Sequence, residues 1–109
     1  MSPEHKNLAE GGWQKLTLAE QMANIGSEIS RAIKWREKDK NLFQKALIRA
    51  LELFDLTILD PRWKSRLKEI TRAREIFCDT VFGDKKYATT LHNLLRYFDI
   101  FAFAARRNR

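Results

Sequence analysis

The sequence is poor in residues that form covalent cross-links, metal sites and phosphate-binding loops. Its 109 residues include one cysteine, two prolines, four glycines and two histidines. Cys78 cannot form an internal disulfide, and beside Phe77 we expect it to be a buried, inert thiol. With no cluster of His, Cys and carboxylates and no glycine-rich loop, the sequence predicts no metal site and no cofactor.

Long uninterrupted apolar segments are also missing. The longest run near the C-terminus, residues 100–105, is far too short to cross a bilayer. Residues 1–15 are polar and lack the apolar core of a secretory signal. These absences predict a soluble, cytoplasmic protein with no membrane partner.

Charge is abundant, and its distribution along the chain is uneven. The net charge is +7, from 21 Lys and Arg against 14 Asp and Glu. Residues 1–60 carry nine basic and nine acidic residues, whereas residues 61–109 carry twelve basic and five acidic ones. The excess positive charge therefore lies in the second half, which favours a one-sided surface for a polyanion.

Apolar residues recur every three or four positions, which is the pattern of amphipathic helices. Thr17 and Glu20 form the capping box of a first helix that ends near residues 36–38. Asn41 is expected to cap a second helix. The apolar arc of that helix is wide, which indicates either a central position in the fold or a cover from another subunit.

Asp60 and Pro61 predict the start of a third helix, which runs to about Phe82 and ends at Gly83. Thr89 or Thr90 is expected to cap a fourth helix. The predicted fold is all-α, an antiparallel four-helix bundle formed by residues 17–109. Residues 1–16 are expected to form a mobile leader, from which Trp13 could pack back onto the bundle.

The densest basic segment lies in the first half of the third helix. Its side chains are spread around the helix, so some of them must face solvent, and the amino end of a helix also favours phosphate. The alternative is an ordinary solvated helix surface. Basic residues of the fourth helix and the C-terminus complete the predicted nucleic-acid-binding set. The set is Arg62, Lys64, Arg66, Lys68, Arg72, Arg96, Arg106, Arg107 and Arg109.

Arg74 lies among apolar positions of the third helix, where an unpaired charge would be costly. We expect an ion pair with an acid of another helix, either Glu28 or Asp55. A direct contact with a ligand is the less favoured alternative.

Several large apolar residues fall outside the predicted core faces. On the fourth helix they interleave with Arg96 and Arg107, a pattern that suits either stacking on bases or contact with another subunit. Protein contact is favoured, because a homo-oligomer would bury these residues and multiply the basic surface. The predicted interface residues are Ile48, Leu56, Leu59, Ile100 and Phe103.

Four segments resemble those of known proteins: LAEQMANIGSE at 18–28, RALELFDLT at 49–57, DPR at 60–62 and FAARR at 103–107. They are similar to a set of short, uncharacterised helical proteins of microbial genomes. This resemblance implies a shared fold, and it implies nothing about an activity. By size, helix count and basicity the chain also resembles the four-helix-bundle accessory proteins of diversity-generating retroelements. That second resemblance implies a basic homo-oligomer that helps a reverse transcriptase to handle its template RNA. No site residue is carried over from it.

The sequence therefore predicts a non-enzymatic accessory protein that binds RNA or DNA through phosphates, with a homo-oligomer and a reverse transcriptase as further partners. The alternative is a protein-interaction module, such as an adaptor or an antitoxin-like protein, whose basic half contacts an acidic partner. A third hypothesis, a small nuclease, requires His92 to lie beside an arginine or a carboxylate in a cleft.

Overall fold

A computed structural model of the chain describes residues 12–83 and 90–107. Most of the predicted leader, residues 1–11, lies outside the described residues, as does Arg109. The described part contains no strand, so the all-α prediction is confirmed. Its α-helices are α1 (Leu18–Trp35), α2 (Lys40–Ile58), α3 (Leu67–Phe82) and α4 (Leu91–Arg107), and 3₁₀ helices at Trp13–Lys15 and Pro61–Arg66 precede α1 and α3.

Helix α1 packs along both α2 and α4, and these are the most extensive contacts of the helical bundle. Its start is the predicted capping box: the Glu20 N–H donates to Thr17 Oγ1 at 3.1 Å, and the Thr17 N–H donates to Glu20 Oε1 at 2.9 Å. Met22, Ile25 and Ile29 form its buried stripe, as their spacing predicted. No helix of the described residues is long and apolar enough to span a membrane.

Three phenylalanines from three helices meet at the centre of the core. The ring centroid of Phe54 in α2 lies 5.6 Å from that of Phe77 in α3 and 5.8 Å from that of Phe98 in α4. All three side chains are fully buried. Offset and edge-on contacts at these distances are favourable for aromatic rings, so this cluster joins α2, α3 and α4.

The start of α2 differs from the prediction. Asp39, and not Asn41, is the capping residue: its backbone is extended, and its carboxylate accepts the Leu42 N–H at 3.1 Å. Asn41 is already inside the first turn. An Asp two residues earlier can accept the same free amide donors, so α2 begins before the position that the sequence indicated.

The third predicted helix is divided in two. The 3₁₀ helix Pro61–Arg66 carries the predicted Asp60 cap, and Trp63 within it has non-helical angles of φ −105° and ψ 24°. Leu67, the first residue of α3, lies just after this bend and is 38% exposed. Gly83 ends α3 as expected, although its backbone is extended and not left-handed.

Helix α4 begins as one of the two predicted alternatives. Thr90 Oγ1 accepts the Asn93 N–H at 3.1 Å, whereas Thr89 lies outside the described residues. Leu91, Leu94 and Phe98 are the buried residues of α4. One face of the first half of α4 therefore packs into the core, and the opposite face lies at the surface.

Candidate nucleic-acid interface

Buried polar side chains converge where the Trp13 segment, α1 and the end of α2 meet. Trp13 is 1% exposed, and its indole N–H donates to Thr57 Oγ1 at 3.0 Å. The Gln21 amide donates to the Trp13 carbonyl at 2.9 Å and to Asp60 Oδ2 at 3.0 Å, and it accepts the Trp63 indole N–H at 2.9 Å. Trp13 thus packs onto the bundle as expected. This polar cluster has a structural role, because its donors and acceptors form hydrogen bonds with one another.

Arg62, the first of the predicted nucleic-acid-binding residues, belongs to this polar cluster. Its guanidinium donates to both Asp60 oxygens, with Nη2 2.8 Å from Oδ2, and to the Leu16 carbonyl at 2.7 Å. It also lies 4.4 Å from the centroid of the Trp63 ring. Hydrogen bonds from Arg62 lower the pKa of Asp60 to about 2 and outweigh the opposing effect of burial. The Nε and Nη2 donors of Arg62 are therefore engaged within the chain.

Arg66 is also paired with a carboxylate of its own chain. Its Nε lies 2.9 Å from Glu69 Oε2 in an exposed ion pair. The other Glu69 oxygen accepts the Tyr97 hydroxyl at 2.8 Å and so links α3 to α4. The Tyr97 hydrogen bond and the Arg66 charge lower the pKa of Glu69, while burial and the same carboxylate raise the pKa of Tyr97.

Other predicted nucleic-acid-binding residues have exposed side chains. Within residues 12–83 and 90–107, no ion pair joins any of them to a carboxylate. Two of them, on α3, line one shallow pocket together with Thr71 and Glu75. These exposed cations are Lys64, Lys68, Arg72, Arg96, Arg106 and Arg107.

A groove of about 480 Å³ lies between α3 and α4, and of these six cations Arg72 is part of its lining. Ala73, Ile76 and Leu94 form its apolar floor, and Arg72 and Asn93 are exposed at its edge. No pattern in the sequence predicted this groove. Its lining is shared by two consecutive helices, and no local pattern of residues signals how they pack against each other.

A second pocket, of about 260 Å³, contains His92. Lys34, Arg36, Glu37 and Lys38 at the end of α1 share its lining, and the His92 side chain is exposed. Arg36 and Glu37, which line the same pocket, are the kinds of neighbour that the nuclease hypothesis requires for His92. Among the described residues, no three His, Cys, Asp or Glu side chains are grouped so that they could hold a metal ion.

Most of the predicted interface residues are exposed. The exposed fraction is 76% for Leu59, 67% for Ile100, 60% for Phe103 and 44% for Ile48. The expectation of exposure was wrong for Leu56, which is half-buried against the core. Leu56 is covered because the other helices of the bundle contact α2 over a wide arc.

Arg74 pairs with Asp55, which was one of the two predicted acids. Its Nε lies 2.9 Å from Asp55 Oδ1, with 36% of the Arg74 and 56% of the Asp55 side chain exposed. The other candidate, Glu28, is buried in α1 and pairs with Arg31. Cys78, one turn after Arg74, is a half-buried free thiol whose pKa is raised by burial.

A comparison of the chain with models of protein families, with curated proteins and with solved structures found no match.

Proposed function

We propose that the protein is a basic, non-enzymatic accessory protein that binds RNA or DNA through phosphate contacts. The observation that carries this proposal is the set of six exposed lysines and arginines that no carboxylate of the described residues neutralises. Arg62 and Arg66 are not among the proposed phosphate contacts, because their guanidinium groups already bind Asp60 and Glu69. Contacts made to phosphates carry little sequence information, so we expect weak sequence specificity.

Salt dependence tests the proposal with a matched pair of variants. Lys68→Gln/Arg72→Gln removes two unpaired cations, whereas Arg66→Gln/Arg74→Gln removes two that are already paired. We expect the first variant to reduce the slope of log affinity against log salt concentration by about 1.8 for duplex DNA. The second should leave that slope nearly unchanged. Equal effects of the two variants, or no binding by the native protein at low salt, would contradict the proposal.

An antiparallel bundle is part of the same proposal. Two surface pockets support this arrangement of α1 and α4. Glu20 near the start of α1 shares a pocket with Arg106 near the end of α4. Arg36 just after α1 shares another pocket with His92 near the start of α4.

The exposed apolar residues support a homo-oligomer or a protein-interaction module as a second candidate function. Leu59, Ile100 and Phe103 are each at least 60% exposed. Ile100 and Phe103 are three positions apart on α4 and so are neighbours on its surface, and exposed apolar patches mark protein contacts. Light scattering of the native protein and of Ile100→Ser/Phe103→Ser should reveal an oligomer that the substitutions dissociate. A protein that is monomeric at every concentration tested and retains no partner protein would exclude both forms of this candidate.

The retroelement resemblance adds a reverse transcriptase as protein partner, and the cytoplasmic location expected from the sequence stays part of the proposal. Copurification of a tagged reverse transcriptase with this chain, before and after nuclease treatment, tests that part. A stable complex that survives the nuclease supports a direct contact. Loss of the complex on digestion would show that nucleic acid alone connects the two.

A further inference from the structure

We propose that the groove between α3 and α4 accommodates one unstacked base of a single-stranded nucleic acid. This inference rests on the proposed function, since phosphate contacts would bring the strand to the groove. It adds a ligand class that those contacts do not specify: single strands in preference to duplexes.

The size and floor of the groove suit the faces of a base. Its volume of about 480 Å³ falls in the range of small-ligand sites. The floor is formed by Ala73 and Leu94, each 5% exposed, and by the half-buried Ile76. The face of every base is weakly solvated, so an aliphatic floor of this kind would bind it by burial of apolar surface and with little sequence preference.

The edge of the groove supplies the polar groups that a nucleotide requires. Arg72 lines the groove and also the adjacent shallow pocket, which it shares with Lys68, Thr71 and Glu75. We expect a phosphate of the same nucleotide to contact the two cations of that pocket. The side chain of Asn93 is exposed at the opposite wall, and its amide has both donors and an acceptor. Such an amide can pair with the hydrogen-bonding edge of a base.

Tyr97 and Glu69 form a fixed wall of the groove. The Tyr97 hydroxyl donates to Glu69 at 2.8 Å, and its ring packs edge-on against Phe98 and Phe101 at centroid distances of 5.2 and 5.4 Å. The Glu69 carboxylate also binds Arg66, so its charge is neutralised within the chain. A rigid wall costs little conformational entropy when a ligand binds.

A duplex cannot use this site. Its bases are stacked and paired, so only its phosphates can reach the exposed cations, whereas an unpaired base can leave the stack and enter the groove. The charge of Lys68 and Arg72 also favours a nucleotide over an apolar side chain of a protein as the occupant.

The test compares a fluorescent single-stranded oligonucleotide with the duplex of the same sequence. Its variants are Asn93→Ala, which removes the amide at an exposed position, and Ile76→Trp, which fills the groove. His92→Ala is the control, because His92 is exposed on the same helix but lines a different pocket. We expect the native protein to prefer the single strand, and each groove variant to lose about tenfold in single-strand affinity only.

Two results would overturn the inference, and they are distinguishable. If both groove variants keep the native affinities for the single strand and the duplex, together with the steep salt dependence of binding, the groove holds no base. The phosphate-binding proposal stands in that case. If the native protein binds neither oligonucleotide, the proposed function fails and the groove inference fails with it. Because Asn93 lies on the surface, its variant gives an answer even if Ile76→Trp unfolds the protein.

Discussion

A methyl group placed on Gly26 of α1 would lie 2.8 Å from the Cβ of Phe98 in α4. Both residues are buried, and the approach is closer than two carbon atoms tolerate. Only a residue without a Cβ therefore fits at this point of α1. Phe98 also contacts Phe54, so this close approach helps to position the aromatic cluster of the core.

Gly26→Ala should destabilise the protein, although alanine is the better helix former by up to about 1 kcal/mol. The added methyl group has to displace the Cβ of Phe98. Such overpacking costs about 1–3 kcal/mol. We expect a net decrease in the free energy of unfolding, measured by urea denaturation. Ser30→Ala, at an exposed position of the same helix, is the control and should be neutral or stabilising. Equal stability of the two variants would contradict the steric argument.

Asp60 should make folding stability dependent on pH in the acid range. Its pKa is about 2 in the folded chain against an ordinary value of 3.8, because Arg62 favours the charged form. The carboxylate therefore contributes stability that is present above pH 4 and is lost as the pH falls through 2, amounting to about 2 kcal/mol. We expect Asp60→Asn to remove this part of the pH dependence when unfolding is measured between pH 5 and pH 2.

The matched control is Asp99→Asn, at an exposed position of α4. It should leave the difference in stability between the two pH limits close to the native value. A native-like acid dependence of Asp60→Asn would show that the Arg62 ion pair does not set this dependence.

The Arg74–Asp55 ion pair should contribute little to stability. Both side chains are more than a third exposed, so water and salt weaken their attraction, and exposed pairs typically yield less than about 1 kcal/mol. A double-mutant cycle with Arg74→Met and Asp55→Asn should give a coupling energy below that limit, which decreases further as salt is added. A coupling energy of several kcal/mol that is insensitive to salt would show that the pair is effectively buried.

His92→Ala should have no effect on the integrity of bound RNA or DNA. The His92 pocket contains Arg36 and Glu37, yet it is a small surface pocket, and the proposed function requires no cleavage. Labelled oligonucleotides incubated with the native and the variant protein should therefore remain intact in both cases. Cleavage by the native protein that His92→Ala abolishes would replace the accessory-protein proposal with the nuclease hypothesis.

The signals that predicted the fold correctly are local. The Thr17–Glu20 capping box joins residues three positions apart, and the Asp60 cap contacts the amide of Arg62 two positions on. Competition between local signals explains the errors: Asp39 and Asn41 are both capable caps, and their order along the chain does not decide between them. The bend at Trp63 had no sequence signal, because its indole binds Gln21, 42 positions away.

The candidate interface was predictable only in outline. Composition alone locates the excess charge in the second half of the chain, but it does not tell which of Arg62, Arg66 and Arg72 are paired. Folding distinguishes them: Asp60 engages Arg62 and Glu69 engages Arg66, while Arg72 stays exposed beside the groove. Asp55 and not Glu28 pairs with Arg74, because α2 and α3 are in contact and Glu28 is buried in α1.

The sequence by itself determined that the chain is helical, where most of its helices start and end, and that its second half is basic. These properties depend on capping, helical periodicity and composition, which act over a few residues. The tertiary structure decided that Arg74 pairs with Asp55, where Trp13 packs, and that α3 and α4 leave a groove between them. Those outcomes depend on contacts between residues far apart in the chain, and only the packing of the four helices creates such contacts.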